Sequence, residues 1–234
     1  VSELQAKLYD LRLLDTLPTL ETPGLQPFTY PGHPLTITAD IGPPGLVDRS
    51  SPRIVWRRLD DPAGLARTNA LPHQGRLRHA TGLAPLPMGT AIDYTLHAET
   101  LAGQTVQWPA EAPQRMTVTE AVALTVAGVP GAYGESEPAY GTHTIASGNV
   151  VRAQVPGRVL LSSEASRFCL GSTGTGSVGA TTGPTNCFTL RTTSQLVWQW
   201  IDAFRLRQAS TIPGWLDQAT WYNVDQPGQT ATAP

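Results

Sequence analysis

The 234 residues carry a formal net charge of −2, with only 15% charged side chains, 22 glycines and 21 prolines. No stretch is basic, so the phosphate-neutralising charge that a nucleic-acid partner needs is missing. No apolar run reaches the roughly 18 residues of a membrane-spanning helix. Thr, Val, Ser, Gly and Pro dominate where a helical protein would have runs of Ala, Leu, Glu and Lys, which predicts short strands joined by turns. Val1 is not an initiator methionine and opens no signal peptide, so the chain is read as a processed or excised piece of a longer polypeptide.

Residues 1–23 form a linking segment. Leu4, Leu8, Leu11 and Leu14 suit a helix while the alternation in KLYDLRLLD suits a strand, and periodicity does not choose between them. Pro18 and Pro23 end it either way. Residues 24–119 read as one sandwich. PLTITADIG enters a Gly-Pro turn, and PRIVWRRLD places Ile54, Trp56 and, past a bulge, Leu59 on one face. In TAIDYTLHAETLAGQTVQWP, Ile92, Tyr94, Leu96 and Ala98 alternate with Asp93, Thr95, His97 and Glu99, and LAG turns the chain back into QTVQWP. Period-2 alternation with turns at this spacing predicts an antiparallel sandwich. The I-x-Y-x-L-x-A-E-T-x-x-G run resembles the last strands of immunoglobulin-like or fibronectin III-like modules.

Residues 120–207 predict a second β module, with strands near Val122–Val126, Thr142–Ala146, Val150–Val155, Arg167–Leu170, Cys187–Arg191 and Leu196–Ile201. Trp198 and Trp200 share a face of the last strand and are expected in the core. Cys169 and Cys187 flank a Gly/Thr/Ser-rich loop. A disulfide closing that loop would stabilise the fold by about 3 kcal/mol, and the Thr/Gly/Pro richness and low lysine content look extracellular. Two buried free thiols are the alternative.

SEPAYGTHTIASGNVVRAQV, SRFCLGSTGTGSVGATTG and FTLRTTSQLVWQW resemble the internalin B-repeat type of bacterial extracellular module. Pro138, Gly141, Gly148, Val151, Arg167, Phe168, Gly171, Gly174, Gly176, Trp198 and Trp200 match that pattern, and Ser172 stands where the group carries tryptophan. The resemblance implies a small β-grasp-like or related module, used in tandem as a stalk or adhesive spacer in secreted or surface-anchored bacterial proteins and not as a catalytic unit. Beyond it, RLRQASTIPGWLD and ATWYNVDQPGQTATAP weakly repeat LTVAGVPGAYG and GTHTIASGNVVRAQVP in order and spacing. Residues 208–234 are therefore read as the opening strands of a further, incomplete module.

Reactive chemistry is sparse. His33, His73, His79, His97 and His143 form no pair at i, i+4 on a helix, and no His-Glu-x-x-His, Gly-x-Ser-x-Gly, phosphate-loop or dinucleotide motif occurs. Two cysteines with no nearby histidine make no zinc set. Asp40, Asp48, Asp60 and Asp61 lack calcium-loop spacing and read as turn acids. No cofactor, metal or enzymatic activity is expected.

The reading is an all-β, non-catalytic structural or adhesion segment of a large extracellular or cell-surface protein. It would assemble with neighbouring modules or copies of itself through open strand edges into a filament, with Trp215, Trp221 and Tyr222 as candidate interaction residues. Two alternatives remain. One is an accessory carbohydrate-binding module presenting a row drawn from Trp108, Trp215, Trp221 and Tyr222; the other is a virion or phage-tail decoration protein.

Overall fold

The computed structural model describes residues 19–22, 25–43, 45–207, 219–223 and 230–231. Among them the chain is all-β, without helix, as its composition predicts. It divides into two compact units, Val1–Ala121 and Val122–Pro234. Most of the linking segment, residues 1–18, lies outside the described residues.

The first unit holds β1 (Thr19–Glu21), β2 (Phe28–Thr29), β3 (Leu35–Gly42), β4 (Arg53–Arg58), β5 (Arg67–Ala70), β6 (His73–Gly75), β7 (Arg78–Leu83), β8 (Ala91–Glu99), β9 (Thr105–Trp108) and β10 (Gln114–Val118). One sheet runs β1-β3-β7-β6 and the other β2-β10-β8-β4-β5, with β9 also on β8. With β1, β3, β4, β6, β7, β8 and β10 lettered A to G, the sheets are ABED and GFC, the strand order of an immunoglobulin-like sandwich. The side-chain alternation dictates the packing. Leu35, Ile37, Ala39 and Ile41 from one sheet share a core with Ile54, Trp56, Ile92, Tyr94, Leu96, Ala98 and Met116 from the other. Trp56 donates its indole N–H to Asn69 at 2.9 Å, which satisfies its polar atom at the edge of the core. Leu59 corrects the sequence reading: it is 42% exposed, because β4 ends at Arg58 and no bulge carries it inward.

The second unit holds β11 (Ala121–Val129), β12 (Gly141–Ala146), β13 (Val150–Gln154), β14 (Arg158–Leu160), β15 (Ala165–Thr175), β16 (Thr181–Thr182), β17 (Thr185–Thr189), β18 (Ser194–Arg207), β19 (Ala219–Asn223) and β20 (Thr230–Ala231). The large sheet runs β12-β11-β18-β15-β14, with β16 on β15 and a β18-β19-β20 branch. β11 pairs in parallel with the first half of β18, and β19 pairs antiparallel with its end, from Ala203↔Asn223 to Arg207↔Ala219. The described residues of the expected further module thus lie in this sheet. A β-grasp would lay a helix on the sheet. Here the two-stranded ribbon β13-β17 occupies that place, and its Val151, Ala153 and Phe188 pack with Leu124, Leu196, Trp198 and Trp200.

Large and small residues alternate between the two long central strands. Trp200 stands opposite Cys169, Trp198 opposite Ser172 and Leu196 opposite Gly174. The ladder shifts between Cys169 and Gly171, which leaves Leu170 as an extra residue. That bulge keeps Cys169, Ser172 and Gly174 on the core side although they are not evenly spaced. Trp198 is fully buried and Trp200 is 4% exposed, each removing ~150–250 Å² from water, worth ~4–6 kcal/mol at ~25 cal/mol per Å².

In the first unit Asp93 is buried on β8 between Arg57 of β4 and Arg115 of β10, which flank it in register. Arg115 donates to it at 2.8 and 3.2 Å, and Arg57 lies at 3.6 Å. The Arg115 hydrogen bond, then the charges of both arginines, hold its carboxyl below the usual carboxylate range against the opposing effect of burial. Asp93→Asn removes the only charge separating two cations. It is expected to destabilise the unit by about 1–2 kcal/mol at pH 7, measured by urea unfolding. The native carboxyl is depressed, so this contribution is present above about pH 3.9 and fades as pH falls through the native value. The two proteins should converge in stability at the acid end of the titration.

Candidate functional site

The glycine loop is the first place to look for chemistry, and its geometry is that of a packing device. Gly171 has φ +141°, a backbone conformation open to glycine. A Cβ placed there would overlap the Thr181 carbonyl oxygen on β16. Gly174 and Gly176 are similarly pressed against the start of β18, by Gln195 and by Thr193 and Ser194. Ser177 donates its amide to Ser194 Oγ at 2.8 Å, and its own hydroxyl accepts from the Arg191 amide at 2.9 Å. The loop is stitched to the β17–β18 turn.

Ser172 is polar and only 2% exposed. Its hydroxyl meets Thr181 Oγ1 at 3.0 Å and accepts from Asn186 Nδ2 at 2.8 Å, while Asn186 also donates to the Gly179 carbonyl at 2.9 Å. These bonds tie the loop to the ribbon and satisfy a buried polar group. Sequence reading does not see this network, whose members lie up to 14 residues apart.

The expected Cys169–Cys187 disulfide is not formed: both cysteines are free, Cys169 buried and Cys187 exposed. The reason is sidedness. Cys169 faces the core from β15, opposite Trp200. On β17 it is Asn186 and Phe188 that point inward, so Cys187 points out, opposite Arg152 of β13. The ribbon and the core lie between the two sulfurs, whereas a disulfide needs Cβ atoms about 3.5–4.5 Å apart. Burial pushes the Cys169 thiol pKa up, partly offset by the Gly171 carbonyl.

The outer face of the ribbon borders an open cavity of about 510 Å³, lined by Glu137, Arg152, Gln154, Thr181, Asn186 and Cys187 among others. Glu137 is engaged by Gln154 Nε2 at 2.8 Å. A thiol and a guanidinium share this hollow without a histidine in its lining, so the nucleophile–base pairing of covalent catalysis is not assembled there.

Of the aromatic candidates, Trp108 is partly buried against the first unit's core, 6.5 Å from the Tyr94 ring. Trp221 and Tyr222 sit on β19, paired with Arg205 and Phe204. Trp215 lies outside the described residues. Of the acids read as turn residues, Asp40 lies instead within β3, where it pairs with Arg78; Asp48 meets Ser50, Asp60 meets Arg58 and Asp61 accepts from the Ala63 amide.

What the second unit does present is apolar surface at one end of its sheet. Leu160 closes the short edge strand β14 and is 65% exposed; Leu161 follows at 47%. The Leu161 amide donates to the Ala165 carbonyl at 3.0 Å, and Ala165 pairs with the half-exposed Phe204. Among the described residues β14 pairs with β15 alone and β12 with β11 alone, so each carries an unsatisfied edge.

No protein-family model and no curated protein matches this chain.

Two measurements check the site geometry. Ellman's reagent should titrate one thiol in the native protein and two in guanidinium, with no loss of two hydrogens in the non-reduced mass. Gly171→Ala should cost more than about 2 kcal/mol by denaturant unfolding, because both φ and the Thr181 carbonyl oppose a side chain.

Proposed function

We propose that the chain is a non-catalytic structural or adhesion segment of a large modular extracellular or surface protein, and that it assembles through open strand edges of its second unit. The carrying observation is the apolar β14 edge, where Leu160 and the Leu161 that follows it stand in water on a strand that pairs on one side alone among the described residues. Exposed apolar side chains at an unprotected edge favour strand addition by another chain. Tandem β units and the internalin B-repeat-like pattern support the same reading. With both thiols free, the extracellular assignment draws on the Thr/Gly/Pro composition and that resemblance rather than on a disulfide. A sugar-binding reading would draw on Trp108, which is partly buried against the first unit's core, and on Trp221 and Tyr222 of β19.

Sedimentation equilibrium of the whole chain over a range of concentrations tests the proposal. Mass should rise with concentration, and Leu160→Lys with Leu161→Lys should return it to the monomer while shifting the melting temperature by no more than a few degrees, because both side chains are exposed. A monomer at every concentration, or an oligomer indifferent to the two lysines, would remove the β14 edge from the account.

A further inference from the structure

β6 and β7 form a hairpin at the outer edge of the first unit's four-stranded sheet, closed by Arg76 and Leu77. Their pairing sets His73 directly opposite His79, six residues on in sequence, with ring centroids 5.1 Å apart and edge to face. His79 is only 3% exposed and faces the core from β7 beside Ala39 of β3. Its Nδ1–H donates to the Leu71 carbonyl at 3.0 Å, so Nε2 is the atom left to take a proton. Leu71 is itself a core residue at 1% exposure. His73 Nε2–H donates to the Arg76 carbonyl at 3.0 Å, and Arg76 is held at φ 49°, where a non-glycine residue is strained.

The charges around this pair are unfavourable to an imidazolium. His73 faces His79 from β6 and Arg49 from the loop before β4. Arg78 precedes it on its own strand, Arg76 sits in the turn, and Asp40 on β3, the nearby acid, is taken by Arg78 at 3.3 Å. Burial first, then the cationic neighbours His73 and Arg49, lower the His79 pKa, with the Leu71 carbonyl opposing.

We propose that His79, seated against His73, is an acid-sensitive latch on β6: with the His79 ring neutral the edge strand stays docked, and its protonation releases β6 and bares the edge of β7. A charge on the His79 ring is buried at 3% exposure, faces Arg49, and finds the nearby Asp40 already engaged by Arg78. Opening lets His79 reach water and regain its ordinary affinity for protons. Because the native pKa is the lowered one, the latch is fully closed above about pH 6.5 and weakens as pH falls from there through the native value. Release leaves β7 with unpaired backbone, a strand edge that exists only in acid. This edge belongs to the first unit and is independent of the β14 edge.

Native-state hydrogen exchange on the whole chain reads the latch through the Ala80 amide, which donates to the Pro72 carbonyl. Its protection factor, corrected for intrinsic exchange, should fall by up to about tenfold per pH unit below about 6.5, while the amides of β8 keep theirs. In His79→Gln, which retains a donor for Leu71 but cannot titrate, the fall should vanish. His97, half-buried on β8, is untouched by that substitution and serves as the internal control. An NMR titration of the wild-type rings gives a second reading that needs no variant: His79 should remain neutral well after an ordinary histidine has charged. A pH-independent Ala80 amide, an undiminished slope in His79→Gln, a parallel loss across β8, or an ordinary titration of His79 would each overturn the proposal.

Discussion

The second unit depends on the ladder between β15 and β18. β18 is fourteen residues long and is shared: β15 runs along one side, while β11 and then β19 take the other. Two tryptophans and a leucine on its core face need depth, and β15 supplies it by placing a cysteine, a serine and a glycine opposite them. Larger residues on β15 would force the ladder apart, since interiors packed to crystal density cannot absorb added volume without strain. The bulge at Leu170 follows from the same need. It lets the strand keep presenting small residues to the core after Cys169, and it ends beside Gly171, where β16 comes so close that no side chain fits.

That arrangement explains why the two cysteines mislead. In sequence they bracket a loop of ordinary length for a disulfide, and nothing local forbids the bond. The obstacle is parity in two separate strands. Cys169 is fixed inward by its place across from Trp200, and Cys187 outward because its neighbours Asn186 and Phe188 face the core. Strand parity is legible only when the ribbon is known to fold over the sheet, a long-range fact that spacing between cysteines does not contain.

Much of the rest is legible because a period of two is a local signal. Ile92, Tyr94, Leu96 and Ala98 lie inward on β8 and Ile54 and Trp56 on β4, and the core of the first unit follows from them. Leu59 differs because a hydrophobic residue just past a strand looks like its continuation, whereas β4 ends at Arg58. The polar features were harder. The Ser172–Thr181–Asn186 cluster and the His73–His79 contact join residues through a glycine turn and a hairpin register, and neither has a sequence motif. A histidine opposite a histidine is set by which residues occupy the turn, so one inserted residue would send the rings to opposite faces.

The same economy that builds these units leaves them incomplete at their margins. A chain poor in helix-forming runs has only strands with which to cover its sheets, and a two-stranded ribbon covers less than a helix pair would. Each sheet that is not closed into a barrel must end in strands with unpaired backbone, and natural sheets blunt such edges with lysine, proline, short strands or covering loops. β6 is short and capped by a strained turn, which is one such solution. β14 is equally short but ends in Leu160 and is followed by Leu161 rather than by a charge. An edge that is brief yet apolar pairs weakly by backbone alone and gains its affinity from side-chain burial, so a partner of the proposed kind would have to supply an apolar strip and not merely a free strand. Assembly at β14 would then be selective for a complementary surface, and the polar β12 edge on the opposite margin would add backbone pairing without that selectivity.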